Sequence, residues 1–190
     1  MSFGSSVAID TETQGLNLQR DRLCVMQLSS GDGNSALVQF EPGAYEAPNL
    51  RALMADPGVT KMFHFARFDL AAIKTYMDVI CRPVYCTKIA SKLSRTYTDK
   101  HGLSELCAEL LDVQMSKQQQ QSDWAAEVLS DEQVEYAARD VLYLHRLREI
   151  LDRRLAREGR VEIAQACFQF LPVVVEMDLA GWAEKNIFEH

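Results

Sequence analysis

Asp10-Thr11-Glu12, Asp69 and the pair Tyr136 and Asp140 are four carboxylates and one phenol, each at the end or on one face of a predicted strand or helix. Four acids brought together cannot all stay ionised without counter-charge. Either they are scattered over the surface, or they hold divalent cations. Carboxylate oxygens suit hard ions such as Mg2+ or Mn2+. Two such ions roughly 4 Å apart stabilise both the attacking and the leaving oxygen in phosphodiester hydrolysis, and they lower the pKa of the attacking water. The spacing of the acids therefore raises the question of which elements bring them together.

On a strand, residues two apart share a face, so Asp10 and Glu12 point the same way. A solvated strand end is the alternative for this pair. Asp69 follows a strand and falls in the first turn of a predicted helix, where an acid also complements the helix dipole. Tyr136 and Asp140 are four apart on a predicted helix and share a face. Their neighbours Ala137, Ala138, Val141 and Leu142 are small or apolar, so that face looks inward. An inward Tyr and Asp need partners. Either they bond each other in a core, or Asp140 holds a metal and Tyr136 orients the attacking water.

The supporting elements follow from pattern and punctuation. Val7 to Glu12, Leu23 to Ser29 and Ala36 to Phe40 read as three strands separated by Gln14-Gly15 and by Ser30 to Asn34, which suits an antiparallel meander. Asn49 is a candidate cap for a helix over 50–55, ended by Pro57-Gly58. Thr60 to Phe65 reads as a fourth strand, 67–77 as a helix, Pro83 to Cys86 as a short fifth strand, and 87–93 and 102–111 as helices. Residues 115–130 are polar and read as a loop. Ser130-Asp131-Glu132-Gln133 is a capping box that opens a long helix to about Arg157, stopped at Gly159. A short helix to about Phe170 and an apolar tail after Leu171-Pro172 complete the chain. These elements predict an α/β or α+β layered domain with a mixed sheet.

Length bounds the chain to one domain, or one with an appendage: 190 residues, 47% of them hydrophobic and 25% charged. No apolar run reads as long enough to span a membrane, and no secretory signal is visible at the N-terminus. Cys24, Cys81, Cys86, Cys107 and Cys167 lack a C-x-x-C pattern and read as small core residues in a reducing cytoplasm. A zinc site at Cys81 and Cys86 lacks a matching second pair. The net charge of −7 argues against a long basic groove for nucleic acid. Lys88, Lys92, Arg95, Lys100 and His101 are the residues that can supply a local basic patch.

Taken in order, three segments resemble the motifs of the DEDD superfamily of 3′→5′ exonucleases in its tyrosine-bearing branch, the RNase D-like proteins. They are Asp10-Thr11-Glu12-Thr13-Gln14-Gly15-Leu16, His64-Phe65-Ala66-Arg67-Phe68-Asp69 and Tyr136-Ala137-Ala138-Arg139-Asp140. Gly102-Leu103 with Leu106-Cys107, and Ser122-Asp123-Trp124, are similar as well. The resemblance implies an RNase H-like fold with a mixed five-stranded sheet flanked by helices, and an exonuclease domain over 1–157. Residues 158–190 would form a C-terminal helix and apolar tail packing on the core or a neighbouring subunit. It also implies two ions, Mg2+ or Mn2+, on Asp10, Glu12, Asp69 and Asp140, with Tyr136 positioning the water. Full-length RNase D carries helical domains after this core, for which the chain has no room. The stretches 21–33, 86–102, 116–120 and 167–172 are similar to the nanoRNase C group of alphaproteobacteria. That similarity implies RNA dinucleotides as substrate, cleaved at the end of RNA decay, and a ring-like homo-octamer.

Within that frame Leu16 is placed to wedge between two bases or to pack in the core. Thr11 and Thr13 are counted with the substrate-binding residues of the first motif. Lys88, Arg95, His101 and Lys117 are candidates to clamp a 5′ phosphate through charge-assisted bonds, or are solvated charges. His64 and Phe65 either touch substrate or pack beside their strand. Trp124 either stacks on a base or anchors its loop. Two other functions stay open. One is a general exonuclease trimming longer RNA or single-stranded DNA. The other is a catalytically dead binding module, against which the complete set of acids and Tyr136 counts.

Overall fold

The computed structural model describes residues 3–116, 118–119 and 121–189. Five strands, β1 (Ser6–Thr13), β2 (Leu23–Ser29), β3 (Ala36–Gln39), β4 (Thr60–Phe63) and β5 (Val84–Cys86), form one sheet in the order β3-β2-β1-β4-β5. The short turns after β1 and β2 permit antiparallel pairing of β1 with β2 and β2 with β3. The longer crossovers give parallel pairing of β1 with β4 and β4 with β5. The sheet is mixed and five-stranded, with the antiparallel meander at its front, as the pattern predicts. β2 is an inner strand, next to the central β1, and is buried at every position.

Helices α1 (Pro48–Ala55), α2 (Arg67–Met77), α3 (Thr87–Ser94), α4 (Leu103–Leu111), α5 (Asp131–Leu142), α6 (Leu144–Arg157) and α7 (Val161–Met177) flank it. α5 packs on β1, β2 and β3, α2 on β1 and β2, α6 on β4, and α7 on β5 and α2. The core gathers Val7, Ile9, Leu23, Met26, Met62, Phe63, Ile73 and Leu106. A smaller cluster of Cys24, Val25, Trp124 and Ala137 sits beside Tyr136. All five cysteines are free, four of them buried.

Four boundaries differ from expectation. α1 starts at Pro48, with Pro in its first turn and no side-chain cap from Asn49. β4 ends at Phe63, because Phe65 adopts the left-handed conformation (φ 63°) that turns the chain into α2. The long helix after Ser130 is two helices meeting at Tyr143 (φ −101°, ψ −8°). α7 does not stop near Phe170 but continues through Pro172, and a π-helical turn (Asp178–Trp182) follows it. The helical span Val161–Trp182 is 22 residues, and an 18-residue stretch of it has a mean hydropathy of 1.4, so by length and composition it is long and apolar enough to cross a membrane, a run the sequence pattern does not predict. Its Ala164, Phe168, Leu171, Pro172 and Val175 pack into the core, while Val161, Ile163, Phe170, Leu179 and Trp182 are exposed.

Candidate active site

β1 outruns its parallel neighbour. Its pairing with β4 ends at Ala8 and Met62, and the strand continues to Thr13. On that extension the Thr11 N–H donates to Asp69 Oδ1 at 3.1 Å, and the Thr11 hydroxyl donates to the same oxygen at 2.7 Å. Asp69 comes from the first turn of α2, just past the left-handed turn at Phe65. The turn, the strand's length and the position of the acid thus bring two segments 58 residues apart into contact.

α5 brings the remaining groups. The Ser130 hydroxyl accepts from the Gln133 N–H, and the Gln133 side chain accepts from the Ser130 N–H, so the capping box is complete. The Tyr136 phenol stands near enough to Asp140 to favour its ionised form. Carboxylate oxygens of Asp10, Glu12 and Asp140 lie within 4.8 Å of one another. Asp69 stands beside this trio, near enough to raise the pKa of both Asp10 and Glu12.

Burial is the first cause of the perturbed acidities, and mutual repulsion adds to it. Asp10 is held well above the usual carboxylate range by desolvation, then by Asp69, Asp140 and Glu12. Desolvation with Asp140 and Asp69 pushes Glu12 up to about 9. Asp69 is pushed up to about 7 by burial, against the lowering effect of its Thr11 bonds. Burial takes Asp140 to about 7, opposed by the Tyr136 hydroxyl. The Tyr136 phenol itself is raised by burial and by the neighbouring acids. A cluster of oxygen-only donors that resist sharing their negative charge fits hard divalent cations. No nitrogen or sulfur ligand joins the trio among the described residues.

The substrate-binding candidates divide. Leu16 is 85% exposed just past the acids, so core packing does not account for it. Phe65 is 54% exposed, and Lys88 Nζ lies 3.6 Å from its ring centroid. His64 Nδ1 pairs with Thr87 Oγ1 at 2.9 Å, and burial followed by the charge of Lys88 lowers its pKa to about 3, leaving a neutral ring. The Thr13 hydroxyl donates to the Gly15 carbonyl at 2.6 Å and so shapes the turn before Leu16. Lys117 lies outside the described residues.

Four of the candidates have side chains committed to contacts inside the fold. Thr11 is buried and spends its donors on Asp69. Arg95 is fully buried, bonded to Glu109, to Ser91 Oγ at 2.9 Å and to the Lys100 carbonyl at 2.8 Å, so its guanidinium braces the α3–α4 connection. His101 is buried with Nδ1 at 2.8 Å from Ser91 Oγ in the same network. Trp124 is 3% exposed, with no face left for a base. Its ring centroid lies 6.0 Å from that of Tyr136. The Trp124 loop is fastened by Gln133 Nε2, which donates to Ser122 Oγ and to the Asp123 carbonyl, each at 3.0 Å.

One neighbour of the acids is missed by residue pattern. Gln27 lies directly across from Asp10 in the β1–β2 register and is fully buried. Its only sequence signal is an amide inside a largely apolar inner strand.

The geometry agrees with what the chain is similar to. Residues 2–156 match the 3′-5′ exonuclease family model. Ribonuclease D of Acidiphilium cryptum (strain JF-5) is 33% identical over 156 residues, covering 82% of this chain and 39% of that protein. The chain thus spans about two fifths of the length of the curated relatives it matches first. Brucella melitensis NrnC bound to pGG superposes with a TM-score of 0.95 at 61% identity, covering 98% of this chain and 90% of that one. The same protein with bound Mg2+ gives a TM-score of 0.94 at 60% identity, with the same coverage. Its sheet and helices are those of the RNase H-like exonuclease domains, and the chain belongs to the 3′-5′ exonuclease family.

Proposed function

We propose that this protein is a metal-dependent 3′→5′ exoribonuclease that splits RNA dinucleotides into mononucleotides at the end of RNA decay. The observation that carries the reading is the meeting of Asp10, Glu12 and Asp140 within 4.8 Å, with Asp69 held beside them. The likeness to NrnC, a protein seen with pGG, supports a substrate of two nucleotides. The relatives named ribonuclease D favour the second reading, a nuclease trimming longer RNA or single-stranded DNA.

In this reading Asp10, Glu12, Asp69 and Asp140 hold two divalent ions, Mg2+ or Mn2+. When bound, these ions neutralise the developing charge and acidify the attacking water. The bond broken is P–O3′: a water oxygen joins the phosphorus, and the 3′ oxygen leaves and takes a proton. In the metal-free protein, burial and the neighbouring acids hold the Tyr136 phenol above its ordinary value. In this reading the phenol orients the attacking water by hydrogen bonding. Leu16, exposed beside the acids, separates the two bases. Lys88 supplies a cation for the 5′ phosphate, with Phe65 and His64 forming the wall beside it.

The catalytic unit is 1–157, and 158–190 packs on it and on a neighbouring copy in a homo-oligomer. The exposed Phe170, Leu179, Trp182 and Phe188 support that contact. Five free cysteines suit the cytoplasm. The test is turnover of 5′-phosphorylated RNAs of two and ten nucleotides, with Mn2+, with Mg2+ and after chelation. Cleavage of the dinucleotide only, and only with metal, is expected. Equal rates on both lengths would favour the trimming enzyme, and turnover without metal would overturn both readings.

A further inference from the structure

β2 is buried at all seven positions, and such a strand is normally filled with apolar side chains. Gln27 breaks that rule between Met26 and Leu28. It is 0% exposed, and burying a primary amide without full pairing is costly. Its pairing is incomplete. Nε2 donates to Asp10 Oδ2 at 3.5 Å, the outer limit of a hydrogen bond, and the buried Oε1 has no partner among the described residues. Directly opposite residues of an antiparallel pair point to the same face, so the amide and the Asp10 carboxylate are neighbours by register.

We infer that Gln27 is a positioning residue for Asp10, an inference that rests on the reading of the four acids as metal ligands. Its N–H groups are neutral donors. They fix the rotamer of the carboxylate without a positive charge that would compete with a cation, as a lysine would. The roles of N and O in the amide follow from this neighbour, because the reverse orientation would set Oε1 against a carboxylate oxygen. Oε1 is then free to accept a hydrogen bond from a water carried into the acid cluster. Such outer partners of metal ligands orient them, and their loss typically weakens metal binding by roughly 10–100-fold.

Thr11 holds Asp69 in a comparable way, through its N–H and its hydroxyl. Asp10, Asp69 and Asp140 therefore each have a polar neighbour that is not itself an acid: Gln27, Thr11 and Tyr136.

The test compares Gln27→Met and Gln27→Asn with the unaltered protein. Methionine keeps the volume and is at home in a buried strand. Asparagine keeps the amide but is one methylene too short to reach Asp10. Three measurements are made: Mn2+ titration calorimetry on the metal-free protein, thermal unfolding, and kcat and KM on a 5′-phosphorylated RNA dinucleotide. Both variants are expected to fold, to bind Mn2+ roughly 10–100-fold more weakly, and to lose kcat with KM little changed. A purely structural amide would lower the unfolding temperature and leave the Mn2+ affinity of the folded protein intact. A folded variant with unaltered Mn2+ affinity and kcat overturns the inference while leaving the site reading in place. Absence of Mn2+ binding by the unaltered protein overturns the site reading itself.

Discussion

Thr11 donates twice to one oxygen of Asp69, from its backbone N–H at 3.1 Å and from its hydroxyl at 2.7 Å. The two bonds fix the Asp69 carboxylate beside the other acids. Thr11→Val removes only the hydroxyl bond, while Thr11→Ser keeps it. The valine variant should lose about 1 kcal/mol of stability or more, since one buried acceptor loses a partner. It should also bind Mn2+ more weakly, and serine should restore both properties. Chemical denaturation and Mn2+ calorimetry on the three proteins decide the point. Equal Mn2+ affinity in all three would reduce Thr11 to a packing residue.

The metal-free protein carries an unusual pH dependence. Glu12 titrates at about 9 in the fold, and Asp69 and Asp140 at about 7, all above their ordinary values. The folded state therefore holds protons that the unfolded chain has released above pH ~4–5. Stability from these groups is fully present below that range and is lost as pH rises through 7 and then 9. In EDTA the unfolding temperature should fall between pH 6 and pH 9. Adding Mn2+ should reverse the trend, because the ionised acids then have counter-charge. His64 acts with the opposite sign. Its folded pKa of about 3 means that it contributes above pH ~6.5 and is lost as pH falls toward 3. Unfolding scans that rise steadily to pH 9 in EDTA would contradict the clustering of the acids.

Much of this site was legible because its residues lie where local rules are strong. Alternation put Asp10 and Glu12 on one face, and the Ser130–Gln133 capping box fixed the start of α5, and with it the facing of Tyr136 and Asp140. The misses lie where tertiary packing overrides local rules. Nothing in Val141-Leu142-Tyr143-Leu144 breaks a helix, yet α5 and α6 part there. Pro172 signals a stop, yet α7 runs through it, with Phe168, Leu171 and Val175 buried around it to offset the lost N–H bond. Arg95 looked like a surface cation because sequence gives a charge but not its partners. The polar loop around Trp124 has no periodicity to betray the indole behind Tyr136. Gln27 gains meaning only through its cross-strand partner.

Trp124 backs the ring of Tyr136 and is itself buried. Trp124→Ala should cost about 3–5 kcal/mol, the usual penalty for emptying a large aromatic site. Trp124→Phe should retain most of the stability yet leave Tyr136 less firmly held. The phenylalanine variant is therefore the informative one: kcat should fall several-fold with KM nearly unchanged. A rise in KM without a change in kcat would instead return Trp124 to a substrate contact.

Leu16 is an exposed apolar residue beside a polar site, where truncation removes little packing from the fold. Leu16→Ala should leave the unfolding temperature within about a degree, since surface changes rarely exceed ~0.5 kcal/mol. Its effect should appear in KM for the dinucleotide, roughly tenfold for the loss of an apolar contact with the bases of about 1.5 kcal/mol. Unchanged KM with a lowered unfolding temperature would assign Leu16 to packing.

Arg95 and Lys88 were equivalent candidates for the 5′ phosphate, and their surroundings now separate them. The Arg95 guanidinium is fully buried and bonded to Glu109, Ser91, Tyr97 and the Lys100 carbonyl. The Lys88 ammonium rests on the exposed face of Phe65. Arg95→Ala should therefore lower stability, on the order of 1–3 kcal/mol for the orphaned partners, and leave KM of the folded protein unchanged. Lys88→Ala should do the reverse. Stability should be nearly unaffected, while KM rises on the order of tenfold for 5′-phosphorylated dinucleotide and far less for the unphosphorylated one. The phosphate difference is the deciding measurement, because loss of the cation–π contact alone cannot distinguish the two substrates. If Lys88→Ala raises KM equally for both, the phosphate is held elsewhere and Lys88 merely steadies Phe65.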